Sequence, residues 1–381
     1  MKKITLLLFS ILSLQTAFAQ QIGANFNENI ENIDPSLLSK AEVKWVRGFV
    51  NIPRYFLTVD KNGKVTGVNN KAIKNFDISP LTNLKGYKII LSLKLDFKFK
   101  KIGAPEENSM EETYLLNAIK LFLTEKNLGN KINILVVGNE PMWETPNGDA
   151  KKLGAITNKI ITLSNDLKIS QNWNYEIFTG ALNRVSELQK NDIVAEIIKI
   201  TKENPLVDGI DLHIHTNELI KANDDPAYIR NEAKITKKII CTEFSIVRLF
   251  ETYSNESLGL WGTQNGYPSD MKLYEWLNLV QQKAIDKNPI KPEILMDYFN
   301  SQSWYPKQWF NAFLTSFKKN NVSIATYGLQ NTLKDKPKIL NAKSPLWILN
   351  FVYNGGVLGN DNSGLGNKNP LVYPEFEASK K

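Results

Sequence analysis

Eight short apolar runs, each followed by a longer polar or amphipathic stretch, constrain this chain more than any other feature of its sequence. They are IGANFN (22–27), VKWVRGF (43–49), YKIILSLK (87–94), INILVVGN (132–139), YEIFTGA (175–181), VDGIDLHIH (207–215), KIICTEFS (238–245) and VSIATYGL (322–329). Runs this short and this continuously apolar read as strands buried on both faces, as in a parallel sheet. Helices fit between them. Ser109 and Glu112 stand at capping-box spacing before Leu115, Ile119 and Phe122, which share one helical face. Further helices are predicted over 149–168, 185–203 and 269–286, with a last one over 344–356 that ends at the glycine pair Gly355–Gly356.

Eight strand–helix units in one chain predict an α/β fold, a (β/α)8 TIM barrel in a single domain. The long gap over 246–321, between strands seven and eight, predicts an extended insertion holding at least two helices. A doubly wound open sheet is the alternative. Its hallmark is missing, because ANFNENIENID after the first strand holds no glycine-rich turn for a pyrophosphate.

The first 19 residues are set apart from the barrel. MKKITLLLFSILSLQTAFA has two lysines, an apolar run too short to span a bilayer, and Ala17-Phe18-Ala19 before Gln20. They read as a bacterial secretory signal peptide at 1–19, leaving 20–381 as the barrel domain, exported to the periplasm or beyond. No cysteine follows the signal's apolar run, so no lipid anchor is expected, nor any other membrane anchor. Cys241 is the single cysteine, which excludes an internal disulfide. The formal net charge of +8 drops to +6 without Lys2 and Lys3, and it comes mostly from scattered lysines. Nucleic-acid binding needs a concentrated basic face, so it is not expected. The C-terminal ASKK reads as a tail.

In such a barrel the chemistry sits at the C-terminal ends of the strands. Polar residues gather there: Asn25 on strand one, Arg47 on two, Asn139 and Glu140 on four, His213 and His215 on six, Glu243 on seven. Glu140 and Glu243 are the informative pair. Glycosidic cleavage needs one carboxylic acid to protonate the departing oxygen and one carboxylate to attack or to activate water. Two strand tips can aim two glutamates across one cleft, and their mutual repulsion is expected to raise the pKa of one so that it can donate a proton.

GNEP at 138–141 resembles the fourth-strand signature of the retaining glycoside hydrolases of clan A, and TEFS at 242–245 resembles that clan's seventh-strand end. The spacing of 103 residues between the two glutamates is typical of the clan. The resemblance implies Glu140 as acid/base, rather than Glu144, and Glu243 as nucleophile. It implies Asn139 on the 2-hydroxyl of the sugar and Arg47 as the group that holds the nucleophile ionised. VDGIDLHIH resembles the clan's sixth-strand ending through Asp208, Gly209 and His213. His215 departs from it, standing where a tyrosine commonly lies against the nucleophile.

Aromatic residues near these motifs are candidates for stacking on the C–H face of a sugar: Trp143, Tyr267, Trp304, Tyr305 and Tyr327. FNSQSWYPKQWF (299–310) is the richest group and the expected cleft wall. The function expected is retaining hydrolysis of β-glycosidic bonds in a polysaccharide or derived oligosaccharide, with no cofactor or metal. Two alternatives stay open. One is a catalytically inactive glycan-binding barrel. The other is a metal-dependent hydrolase on the same barrel, in which His213 and His215 share one strand face with Asp211, while Glu140, Glu243 and Asp96 supply oxygens and Cys241 lies deeper on the same side as Glu243.

Overall fold

The computed structural model describes residues 21–332 and 338–380, so the signal-peptide expectation for 1–19 lies outside the described residues. All eight apolar runs form strands: β1 (Gln21–Asn25), β2 (Trp45–Asn51), β3 (Lys88–Lys94), β4 (Ile134–Val137), β5 (Glu176–Asn183), β6 (Gly209–His215), β7 (Lys238–Ser245) and β8 (Val322–Gly328). Neighbours in sequence pair in parallel, and β8 pairs back onto β1, which closes the barrel. This is the (β/α)8 fold. Trp45, Ile90, Ile134, Val136, Phe178, Ile240 and Ile324 fill its interior. Each such side chain, fully buried, contributes about 1.5–3 kcal/mol relative to exposure. Alternate residues of the same strands pack outward against the helices.

The helix after β3 forms over Met110–Glu125 because its start is well capped. The Ser109 hydroxyl accepts from the Glu112 amide, and the Glu112 carboxylate accepts from the Asn108 amide. Leu115, Ile119 and Phe122 face the core as expected. The helix predicted over 185–203 begins only at Asp192, where Asn191 accepts from the amides of Ile193 and Val194.

The helix predicted over 344–356 does not form. A short 3-10 turn (Trp347–Leu349) and two residues of strand (Tyr353–Asn354) replace it, and Gly355 starts a short helix instead of ending one. Buried asparagines take the carbonyls that a helix would use. Asn354 donates to Ile348 O at 2.7 Å, and Asn369 donates to Leu349 O and Phe351 O, both at 2.9 Å. Of the C-terminal ASKK, the described residues through Lys380 are not a loose tail either. Ala378 ends a helix that starts at Tyr373, and Lys380 pairs with Glu377 at 2.7 Å and Glu42 at 3.2 Å.

The insertion between β7 and β8 holds five helices: Val247–Tyr253, Gly259–Gln264, Leu273–Ile285, Pro292–Ser301 and Trp309–Lys319. Two amide side chains of the third helix clasp a passing segment as a strand partner would. Gln281 donates to Lys338 O and accepts from Lys338 N, while Asn278 does the same for Leu340. A smaller insertion after β2 carries a hairpin, Leu57–Val59 with Val65–Val68, which the sequence pattern did not announce. Among the described residues no helix is long and apolar enough to cross a membrane.

Two irregularities bend the strands at the mouth of the barrel. Between β5 and β6, Thr179 and Leu182 face Ile210 and Leu212, so β5 carries one residue more than its partner. Between β6 and β7, Leu212 faces Cys241 but His213 faces Glu243, which makes Thr242 the extra residue. Such bulges re-aim the side chains that follow them. Beside the first, Gly138 takes φ +108°, and a Cβ there would lie 2.1 Å from the Gly180 carbonyl oxygen. Gly138→Ala is therefore expected to destabilise the fold by about 3 kcal/mol or more. Gly86→Ala, at φ +83° with open space around it, should cost only about 1 kcal/mol. Urea unfolding of both variants checks this; equal costs would contradict the close approach.

Candidate active site

The site grows from Arg47, which has no exposed surface. It points from β2 into the upper barrel, two residues above Trp45 on the same interior face. Its Nη1 donates to Glu243 Oε1 and Asn27 Oδ1, each at 2.7 Å, and to Asn25 Oδ1 at 3.2 Å. Nη2 donates to Asn139 Oδ1 at 2.8 Å, and Nε to Ser92 Oγ at 3.3 Å. Glu243 thus sits against a fixed, saturated cation. Burial pushes its carboxyl upward, but the charge on His213, the His215 ring and Arg47 overcome that and hold it well below the usual carboxylate range.

Glu140 reaches the same space from the turn after β4. Its backbone is left-handed, φ 42°, and its amide donates to Ala181 O at 2.8 Å. Oε1 accepts from Asn183 Nδ2 at 2.7 Å and meets His213 Nδ1 at 3.1 Å. The other side of the same ring faces Glu243, with Nε2 3.5 Å from Oε1. One imidazole therefore stands between the two carboxylates. Burial and Glu243 raise Glu140, but the hydrogen bond and charge of His213 outweigh them and lower the carboxyl overall, so neither glutamate of the pair is the raised carboxyl that their repulsion alone would give.

A buried chain fixes the orientation of that imidazole. The Thr242 hydroxyl donates to Asp211 Oδ2 at 2.6 Å and its amide to Asp211 Oδ1 at 3.0 Å. With its proton committed there, Thr242 Oγ1 can only accept from His213 Nε2, 3.1 Å away. The Nδ1–Glu140 contact then holds one proton, carried by either partner. Burial would lower the His213 pKa, but Glu243 and Glu140 raise it overall.

The structure brings Asn25, Arg47, Asn139, Glu140, His213, His215 and Glu243 together at the barrel mouth. His215 Nδ1 contacts Ser245 Oγ at 2.7 Å, and Nε2 lies 3.8 Å from Glu243 Oε2. Trp143 stands at the rim, 40% exposed, with the Arg184 guanidinium 4.6 Å above its ring. Four expected stacking residues lie elsewhere. Tyr327 is buried and packs on Phe244 and Phe310, with its hydroxyl donating to Asn350 Oδ1. Parity explains the miss: Ile324 and Thr326 face inward, so Tyr327 faces out. Trp304 stacks on Tyr253 at 4.4 Å, and Tyr267 stacks on Trp261, both inside the insertion's own aromatic core. Phe299, Tyr305, Trp309 and Phe310 are buried as well, so 299–310 is packing and not a cleft wall.

Trp347 takes the wall position instead, edge-on to His215 at 5.0 Å. It lines a cleft of about 140 Å³ beside Glu243 together with Asn25, Asn27, Asn29, Gln330 and Asn350. Sequence reasoning missed Trp347 because it read that segment as a helix. It missed Asn183 because it ended the fifth strand two residues early. Thr242 carried no signal at all. For a metal, Glu140, His213 and His215 offer ligand atoms within 4.8 Å of one another. Asp211 is committed to Thr242, and Asp96 accepts from the Phe99 amide with Lys94 3.7 Å away. The bulge leaves Cys241 in the outer core, not on the Glu243 side.

Glu144, set aside in favour of its neighbour, proves to be part of the framework. It is buried, pairs with Lys94 at 2.8 Å and accepts from Asn139 Nδ2 at 2.9 Å. Asn139 is thereby pinned between Arg47 and Glu144.

No protein-family model matches the chain, and no curated protein does. Solved structures do. A GH5_18 from Bifidobacterium longum subsp. infantis is 10% identical over 95% of this chain and 78% of its own, with a TM-score of 0.50. A β-D-glucuronidase from Dictyoglomus thermophilum is 10% identical over 95% and 50%, with a TM-score of 0.47. An endo-1,4-β-mannanase from Rhizomucor miehei is 11% identical over 82% and 86%, at 0.46. The likeness is one of fold.

Burial lifts Glu144 to about 7 against the pull of Lys94 and Asn139. Burial alone would lower Lys94, but Glu144 raises it overall. A raised carboxyl binds its proton more tightly when folded. Its contribution to stability is complete below 4.5 and is lost as pH rises through about 7. Wild-type stability should therefore fall relative to Glu144→Gln across that window, by at most about 3 kcal/mol. Denaturant unfolding at a series of pH values measures it; parallel curves for the two proteins would contradict the raised value.

Proposed function

We propose that this protein is an exported bacterial glycoside hydrolase that cleaves β-glycosidic bonds with retention, in a polysaccharide or an oligosaccharide derived from one. The observation that carries the reading is the asymmetry between the two glutamates. Glu243 is anchored to the Arg47 cation, and Glu140 meets His213 Nδ1 at 3.1 Å, a ring nitrogen that can hold the proton for it and hand it over. Double displacement asks for that division: one carboxylate kept ionised to attack the anomeric carbon, and one carboxyl able to give a proton and take it back.

In the first step Glu243 forms the glycosyl–enzyme bond while Glu140 protonates the leaving oxygen. In the second, Glu140 removes a proton from water, which attacks the anomeric carbon and frees Glu243. Asn139, held by Arg47 and Glu144, presents its second amide hydrogen toward the 2-hydroxyl of the sugar. His215 and Trp347 close the side of Glu243 where a tyrosine would stand in the glycosidases of clan A, and Trp143 offers an exposed face at the rim. Export rests on residues 1–19, and N-terminal sequencing of the mature protein should begin at Gln20.

A panel of plant, fungal and algal polysaccharides, assayed for new reducing ends, tests the activity. Glu243→Ala should bring hydrolysis to the blank, and Glu140→Ala should lower it by about 10²–10⁴-fold. Near-wild-type turnover by Glu243→Ala would remove it as the nucleophile. In a sugar-bound crystal structure the two carboxyl groups should stand about 5–5.5 Å apart; about 6.5–9.5 Å would mean inversion. Glycan binding without new reducing ends would favour an inactive binding barrel.

A further inference from the structure

The chain has two histidines, and both stand in the site. His215 is the one the proposed reaction uses least. Its Nδ1 is taken by Ser245 Oγ, and its Nε2 is buried without a hydrogen-bond partner. A buried ring nitrogen in that state needs an explanation. It is aimed at Glu243 Oε2, 3.8 Å away. Ligand atoms of Glu140, His213 and His215 all lie within 4.8 Å of one another.

The surroundings of these atoms resemble those of metal ligands. An imidazole that binds a metal through one nitrogen is regularly held through the other by a hydrogen-bonding group. Both rings have such a partner: Thr242 backed by Asp211 on His213 Nε2, and Ser245 on His215 Nδ1. The nitrogens left over, His213 Nδ1 and His215 Nε2, face Glu140 Oε1 and Glu243 Oε2. Two imidazole nitrogens and one or two carboxylate oxygens make a donor set suited to zinc. Arg47 opposes a cation, but its charge is already balanced by Glu243, and Glu140 supplies a second anion.

We infer that Glu140, His213 and His215, with Glu243 completing the set, form a site for a divalent first-row metal ion, of the zinc type, whose occupancy blocks the catalytic centre. The ion would take the place of the proton between His213 and Glu140 and would engage the carboxyl that must protonate the leaving group. The metal is here an inhibitor and not a cofactor. The site depends on the histidine at position 215; a tyrosine there would offer no imidazole nitrogen. Binding itself does not depend on the glycosidase reading, whereas blocking does.

Isothermal titration of the metal-free protein with zinc chloride should give one ion per chain. His215→Phe should weaken binding by at least about 10-fold. Anomalous diffraction from a zinc-soaked wild-type crystal should place the ion between Glu140, His213 and His215, a result that does not depend on how the variant folds. On whichever substrate the panel finds, zinc should inhibit and a chelator should restore the rate. Absence of stoichiometric binding, or an ion located elsewhere, would overturn the site. Loss of activity on chelation with recovery on zinc addition would overturn the blocking role and leave the site in place. If no substrate is found, titration and diffraction still decide the site.

Discussion

Arg47 is a permanent charge without exposed surface, and such a charge is tolerable only where its N–H groups meet acceptors and a counter-ion stands close. Here the acceptors come from β1 and the loop after it, β3, the turn after β4, and β7, through Asn25, Asn27, Ser92, Asn139 and Glu243. Four stretches far apart in sequence are thereby held to one guanidinium. Removing it would leave Glu243 as a buried charge without its partner and would free Asn139 on one side. The remaining groups follow from this arrangement: His213 bridges from Glu243 to Glu140, and Glu144 with Lys94 closes the other end of Asn139.

The barrel itself could not aim these groups by regular pleating. Strict alternation along β7 would send Glu243 outward, because Ile240 and Thr242 already face in. The extra residue at Thr242 turns Glu243 toward the mouth and leaves Cys241 behind in the outer core. The extra residue in β5 does the same for Asn183. At Glu140 a left-handed backbone after Gly138 takes over the task. Three local departures from ideal geometry therefore surround the carboxylate pair, in keeping with the tendency of proteins to concentrate strain where side chains must converge.

Most of the fold was legible because the apolar runs are continuous and separated by well-capped amphipathic stretches. Strand-end polarity led to Arg47, Asn139, Glu140, His213 and Glu243, all of which meet in space. What was not legible has physical reasons. Tyr327 differs from an inward residue by one step of parity, which the strand's sequence does not reveal. The apolar spacing of 344–356 suits a helix, but Asn354 within it and Asn369 beyond it take carbonyls that the helix would use. The aromatic richness of 299–310 serves the insertion's own core, with Trp304 on Tyr253 and Phe299 against Tyr305. Glu144 looked like a spare beside Glu140 because its importance lies in Lys94, fifty residues away.

The clasp of Gln281 and Asn278 on the segment at 338–340 has a consequence for how this barrel could diversify. That segment leads directly into Trp347, which forms one wall of the cleft beside Glu243. The insertion helix Leu273–Ile285 and the cleft wall are therefore a single mechanical part. A shift or exchange of the insertion would carry the wall with it, so loop drift more than thirty residues upstream could retune the cleft without touching any residue that lines it.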